Sequence, residues 1–563
     1  MRPPPPPLVT AGVAGAVVTG VVLGPALGPG LVQSYDLVWS PDPTVTPFAL
    51  GVGTPAPRAV PSELVVTLLG LAVSAGVAQK LVLFGILLLA ATGAAALLLS
   101  VRPDAGRLPT VTTAVAALWN PFVAERLVIG HWPVLLGYAV LPWALRALLR
   151  VPSAGVLPLC AWVVVAGLGG ANAWVVVAPL VVLAAVALRI GLGPAATLAA
   201  TALGSAAVWA VPALASRVTG DARGFEEFAL RADGPAGLVV SALGGGGLWN
   251  ASSHPPERAA GLLSVATAAL LCLGALAVAT DRTTRGRVAL VGVAGAGLAL
   301  AVLPALAGRA GLWDVAAAVP GGALLRDSHK LVAAWVAVAA VGIGVGVHRL
   351  VSRNHALVPL AALALLALPA MLPSLAWGVG GRLSAVAVPE DLSEAARVAS
   401  GAGDGAVALL PWGQFRRYEW NDRRVSLSLV PRMVDSPVVF DDSLPLSSGR
   451  VRGEDPVAAE VTAALDSGAD PWRVLADQGI RYAVVERGPG VATTPDPPRT
   501  ASTLWSSDSA LVVDLGPSVD GLDREATNSI LVGWGIALVT TVFVLVGLAR
   551  RVLEGAGGRR TKW

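Results

Sequence analysis

Polar side chains at or just above the apolar core of a bilayer are costly, so clusters of them there are candidates for chemistry. One such group stands in Ser34-Tyr35-Asp36-Leu37-Val38-Trp39-Ser40-Pro41-Asp42-Pro43, directly after a first apolar run. A partly desolvated Asp36 can act as general base toward a sugar hydroxyl, provided its pKa stays near working pH. Asp42 is the second carboxylate with that potential. Both also read as ordinary loop acids, one of them capping the turn at Pro41.

A second cluster, Glu125, Arg126, His131 and Trp132, lies on one short turn between two apolar segments. Arginine forks onto phosphate, and tryptophan suits sugar stacking or the membrane interface. A plain Glu125–Arg126 pair fixing the turn fits equally. A third, Leu324-Leu325-Arg326-Asp327-Ser328-His329-Lys330, gathers positive charge from Arg326, His329 and Lys330 at a span boundary. That suits a lipid phosphate, as it also suits cations snorkelling at a helix start. Arg231 and Asp233, in a loop from Arg217 to Arg258, are expected to contact ligand or to pair with each other. His254 in the same loop reads as solvated. In Trp412-Gly413-Gln414-Phe415-Arg416-Arg417-Tyr418-Glu419-Trp420, aromatics interleave with arginines. Trp412, Arg416 and Trp420 fit a carbohydrate surface or the core of a small domain.

The elements that must position these groups are membrane helices. Of 563 residues 55% are hydrophobic and 13% charged, about half the charged share of a soluble domain. Apolar runs at 8–32, 80–101, 109–124, 132–149, 155–170, 173–190, 194–216, 260–280, 288–308, 329–348, 356–376 and 528–549 predict about twelve spans. The shorter run 63–77 predicts a helix lying at the interface. Alternate loops carry Arg102 and Arg107, Arg146 and Arg150, Arg189, then Arg282, Arg285 and Arg287, then Arg349 and Arg353. The tail carries Arg550, Arg551, Arg559, Arg560 and Lys562. The opposite loops hold Asp36, Asp42, Glu63, Glu125, Asp221, Glu226, Glu227, Asp233, Asp314 and Asp327. By the positive-inside rule both termini are cytoplasmic and the acidic loops face outward.

The long polar stretch 378–526 alternates strand-like runs (406–410, 438–440, 482–485, 511–513) with helical ones (391–400, 456–466, 472–478). The expected fold is therefore a polytopic α-helical membrane protein with a small extracytoplasmic α/β domain. Its divisions are a transmembrane region 1–377, the α/β domain 378–526, and a last span with a basic tail, 527–563.

The segments NPFVAERLVIGHWPVLLGYAVLPW (120–143) and LLRDSHK (324–330) look like those of actinobacterial envelope proteins related to the mycobacterial α-(1→3)-arabinofuranosyltransferases. The order of a first span, an acidic outer loop, an interfacial helix, many spans and an external domain resembles the GT-C superfamily of membrane glycosyltransferases. The resemblance covers about 8–376. It implies inverting transfer from a polyprenyl-phosphate sugar to an envelope glycan, with a first-loop aspartate as base; Asp36 is the positional match. Arg126, Arg326, His329 and Lys330 would then hold the donor phosphate. Glu125, His131, Trp132, Arg231, Asp233, Trp412, Arg416 and Trp420 would contact substrate. The chain is shorter than the large arabinofuranosyltransferases, and Asp36 and Asp42 stand six apart rather than as a paired-acid motif.

The expected partners are membrane lipids, the lipid-linked donor, a glycan acceptor and envelope-biosynthesis proteins. The net charge of +4 forms no nucleic-acid-like patch. No cofactor is firmly implied; a divalent metal stays open, although no HExxH motif or clustered His/Asp set supports a dedicated site. Cys160 and Cys272 lie in apolar runs without CxxC spacing. P-loop, GxSxG and Rossmann signatures are missing. Two rivals remain: a flippase for lipid-linked saccharides, which should place polar groups deep in several spans, and a noncatalytic scaffold of the same fold.

Overall fold

The computed structural model describes residues 6–53, 57, 59–216, 221–307, 312–318, 326–446, 449–517 and 528–560. Arg217, Leu324, Leu325 and Lys562 lie outside the described residues. Runs of alanine, valine and leucine with few charges build the long helices, of which Ala75–Val101, free of proline, is 27 residues, about 40 Å of rise. Among the described residues nine helices are long and apolar enough to cross a bilayer. They become ten if His355–Met371 and Pro373–Gly381, bent by 70° at their junction, make one crossing.

Two of the twelve expected spans are shorter. Leu157–Leu168 and Arg107–Leu118 have 12 residues each, about 18 Å of rise. The second is stopped by Asn120-Pro121. A residue before proline is pushed into extended backbone, and Asn120 adopts φ −156°, ψ 160°. Its side chain accepts from Val123 N at 3.0 Å and caps a new helix, Pro121–Val128. That break places Glu125 and Arg126 on a separate buried turn.

Helices Trp132–Leu149, Gly170–Ala187 and Ser328–Arg353 all start at one end of the bundle and finish at the other, where Arg150, Arg189 and Arg353 stand. Their starting end carries the sheet domain. Its five-stranded sheet runs Val438–Val439, Val407–Leu410, Tyr482–Glu486, Ala510–Asp514, Ser502–Ser506. The first three are parallel and the last two antiparallel additions. Side chains alternate across a strand. Val407, Leu409 and Val484 therefore pack with Leu392, Ala395 and Ala399 of helix Glu390–Gly401. Ala408, Leu410 and Val485 meet Val461, Trp472 and Leu475 on the other face. The α/β pattern expected between the last spans is thus present.

The domain is tied to the first loop and the helix ends by many small contacts. Tyr35 N donates to Val425 O at 2.6 Å and Leu427 N to Tyr35 O at 3.1 Å. The Asn421 amide donates to Gln33 O at 3.0 Å. Arg432 pairs with Glu63 at 3.0 Å.

Candidate active site

The first loop is laid against the turn that follows helix Pro121–Val128. Asp36 N donates to Ile129 O at 3.2 Å, and the Ser34 hydroxyl donates to Val128 O at 2.7 Å. Gly130 makes this approach feasible. It has φ +78°, and a Cβ there would run into Leu37 N and Ser34 O. The result sets Asp36 Oδ2 3.2 Å from His131 Nε2. The Asp36 side chain is 50% exposed, His131 only 12%. Burial lowers the pKa of His131, against the opposing pull of Asp36. A neutral ring then donates from Nε2 to Asp36, leaving buried Nδ1 as an acceptor with no partner among the described residues.

Beside it, parallel at 6.3 Å between centroids, lies the His329 ring. Arg126, fully buried, reaches His329 Nδ1 at 3.0 Å and its carbonyl at 3.2 Å. A guanidinium only donates, so Nδ1 accepts and the ring proton sits on Nε2. That Nε2 is buried and has no hydrogen-bond acceptor among the described residues; Asp327 Oδ1 is 3.9 Å away. Lys330 Nζ lies 2.6 Å from both Asp327 Oδ2 and Asn172 Oδ1. Burial alone would raise the Asp327 carboxyl, but Lys330 and Arg326 outweigh it and hold the group well below the usual carboxylate range.

A second layer braces the first. Glu125 pairs with Arg126 at 3.1 Å and accepts from Gly247 N and Leu248 N, each at 3.2 Å. The glycine loop it holds also lies against Asp233, which takes a bidentate fork from Arg258 at 2.8 and 2.9 Å. A Cβ on Gly246 would collide with Asp233 and come within 3.0 Å of Glu125. Trp132 packs edge-on against buried Trp39, 6.4 Å between centroids.

The structure thus brings together Asp36, Glu125, Arg126, His131, Trp132, His329 and Lys330 at the seam between bundle and sheet domain. Arg326 sits at the edge, over the Phe228 ring at 4.5 Å and 3.9 Å from Glu454 of the sheet domain. Several expectations need correction. Arg231 and Asp233 do not pair: Arg231 meets Glu227, four residues before it at the end of a short helix, and Asp233 is buried against Arg258. Asp42 is exposed, its backbone engaged with Ser40 rather than its carboxylate with the cluster. His254 is not simply solvated, since its Nε2 lies 2.7 Å from Leu248 O. Arg416 offers no glycan surface: it is buried on Glu486, which also accepts from Tyr418 at 2.6 Å and Ser428 at 3.0 Å. Trp412 donates to Thr462 at 2.9 Å and Trp420 stacks on Tyr418, both half-buried against the domain core.

Asn172, Asp327, Arg258 and the 244–248 loop escaped the sequence reading as parts of the site. Asp327 alone left a signal, three residues before Lys330 at helical spacing. Among the described residues no group of three or more His, Cys, Asp or Glu is gathered to hold a metal ion.

No protein-family model matches the sequence, and no curated protein does. Solved structures do. Arabinofuranosyltransferase AftD from Mycobacteria superposes with TM-score 0.56 at 18% identity, over 91% of this chain and 40% of that one. A mutant form of AftD gives 0.54 at 17% identity, over 90% and 41%. The oligosaccharyltransferase of Archaeoglobus fulgidus aligns with TM-score 0.40 at 12% identity, over 85% and 69%. Since residues 8–376 are about two thirds of the chain, coverage of 91% extends the likeness into the sheet domain. The chain is a multi-pass membrane protein with the GT-C fold seen in mycobacterial AftD, of whose length it spans 40%.

Proposed function

We propose that this chain is a membrane glycosyltransferase that moves a sugar from a polyprenyl-phosphate donor to an envelope glycan or glycolipid, with inversion. The observation that carries the reading is one pairing. A half-exposed carboxylate, Asp36, is oriented by a buried histidine. Beside it a buried imidazole N–H with no acceptor among the described residues lies next to a lysine and an arginine. Such an N–H fits a phosphate oxygen, and Lys330 adds the charge that a phosphate needs. The likeness in fold to AftD, whose name states an arabinofuranosyltransferase, supports the same class without identifying the sugar.

In this scheme the donor lies with its phosphate on Lys330 and His329 and its prenyl chain in the bilayer. Asp36 takes the proton of an acceptor hydroxyl as that oxygen attacks the anomeric carbon from the face opposite the phosphate. The new carbon–oxygen bond forms as the anomeric carbon–phosphate oxygen bond breaks, and polyprenyl phosphate leaves with the electron pair. Arg126 holds His329 in the productive tautomer, and Glu125 holds Arg126. The arginine-rich helix ends opposite the site support an extracytoplasmic sheet domain and cytoplasmic termini.

Binding of polyprenyl monophosphate to purified protein tests the phosphate half of the reading. Lys330→Gln and His329→Gln should each weaken it by about ten- to a hundredfold, the worth of a hydrogen bond to a charged group. Unchanged affinity in both would remove the phosphate from this site.

A further inference from the structure

At the arginine end of the bundle, a helix length from the candidate site, a cavity of about 800 Å³ opens between helix ends. Leu99, Leu149 and Ile190 form apolar parts of its wall, while Arg150, Arg189 and Arg285 line its rim. All three arginines are exposed. The cavity lining contains no carboxylate, and none of the three guanidinium groups has an acidic partner among the described residues. Two other arginines at this end are engaged: Arg102 pairs with Asp104 and Asp281 at 3.0 and 2.9 Å, and Arg349 donates to Thr280 at 3.0 Å. Three uncompensated guanidinium groups around one concavity repel one another, an arrangement that an anion relieves.

We propose that this cavity binds a phosphate ester, the phosphate forked by Arg150, Arg189 and Arg285 and the apolar part against Leu99, Leu149 and Ile190. Guanidinium groups suit phosphate because their planar donors match two of its oxygens. The apolar wall at the level where transmembrane helices end suits the glycerol and first methylenes of an anionic phospholipid. A soluble phosphorylated molecule shares the phosphate chemistry without the wall contacts. The site is separate from the proposed donor site, since helices Trp132–Leu149 and Gly170–Ala187 hold the two apart by 18 residues each, about 27 Å.

The test uses the full chain, delipidated in detergent and offered phosphatidylglycerol, phosphatidylcholine or glycerol 3-phosphate, with retention read by native mass spectrometry. Phosphatidylglycerol should be retained over phosphatidylcholine. The triple change Arg150→Gln, Arg189→Gln, Arg285→Gln should cut that retention about tenfold or more. The equally discharged triple Arg282→Gln, Arg287→Gln, Arg353→Gln, on the same face outside the cavity, should stay within about twofold. Competition by glycerol 3-phosphate at matched concentration would identify a soluble phosphate ester as the ligand. Lack of competition would identify a membrane lipid. If the first triple fails to fold, Ile190→Trp, which crowds the apolar wall and leaves every charge, should also lower retention of phosphatidylglycerol. Equal retention in wild type and cavity variants, or equal loss in both triples, overturns the proposal.

Discussion

Asp36 owes its candidacy to its neighbour. A loop carboxylate 50% exposed is unremarkable alone, but one fixed by a buried imidazole has a set direction. His131 carries a measurable consequence. Burial holds its folded pKa below the unfolded value of about 6.5. Below that pH the unfolded chain binds a proton that the folded chain resists, so stability falls as pH falls. The wild-type melting temperature should therefore drop more steeply between about pH 7 and 5 than that of His131→Asn; parallel slopes would show that His131 does not titrate this way. Arg416 illustrates the opposite lesson. It keeps company with aromatics in sequence as a sugar-binding residue would, yet it neutralises a buried Glu486. Arg416→Ala should cost about 3–5 kcal/mol, because it strands a buried charge. Thermal unfolding of the sheet domain reads that loss; weakened glycan binding at unchanged stability would contradict the assignment. Neither partnership was legible beforehand, because His131 lies 95 residues from Asp36 and Glu486 70 from Arg416, and polar type alone does not choose between surface and buried pair.

Elements deliver these residues by breaks as much as by helices. The stop at Asn120-Pro121 frees a buried turn for Glu125 and Arg126, and Gly130 lets the first loop settle on it. Gly130→Ala adds a Cβ at φ +78° against the backbone of Ser34 and Leu37. It should cost about 1–3 kcal/mol and displace Asp36, lowering the melting temperature and transfer together. Wild-type melting and transfer would refute the role given to this glycine. Long apolar runs made most helices readable, and short apolar runs such as 482–485 likewise announced the sheet. Runs of about sixteen apolar residues overstated helix length: 109–124 and 155–170 include turn residues, and the helices there, Arg107–Leu118 and Leu157–Leu168, have 12 residues each. The edge strand Ser502–Ser506, STLWS and largely exposed, gave no apolar signal because pairing with Ala510–Asp514 holds it in place.

Over the whole molecule, charge sorts the two ends. One end buries the Glu125–Arg126, Asp233–Arg258 and Asp327–Lys330 pairs under a sheet domain, while the other leaves Arg150, Arg189 and Arg285 exposed. The asymmetry was readable from loop composition alone, while the resemblance in fold rested on the segments 120–143 and 324–330 and on the order of the elements. The seam between first loop and sheet domain was not, since it rests on backbone contacts such as Tyr35 with Val425 and Leu427. In the proposed reaction the acceptor meets the exposed side of Asp36 at that seam and the lipid-borne donor approaches from the bundle. The most direct measurement is transfer of radiolabelled sugar from polyprenyl-phosphate donors to envelope glycan acceptors by purified protein, wild type against Asp36→Asn. The account predicts transfer by the wild type and a loss of about a hundredfold or more in the variant, which folds and binds polyprenyl phosphate as before. Undiminished transfer by Asp36→Asn would contradict it.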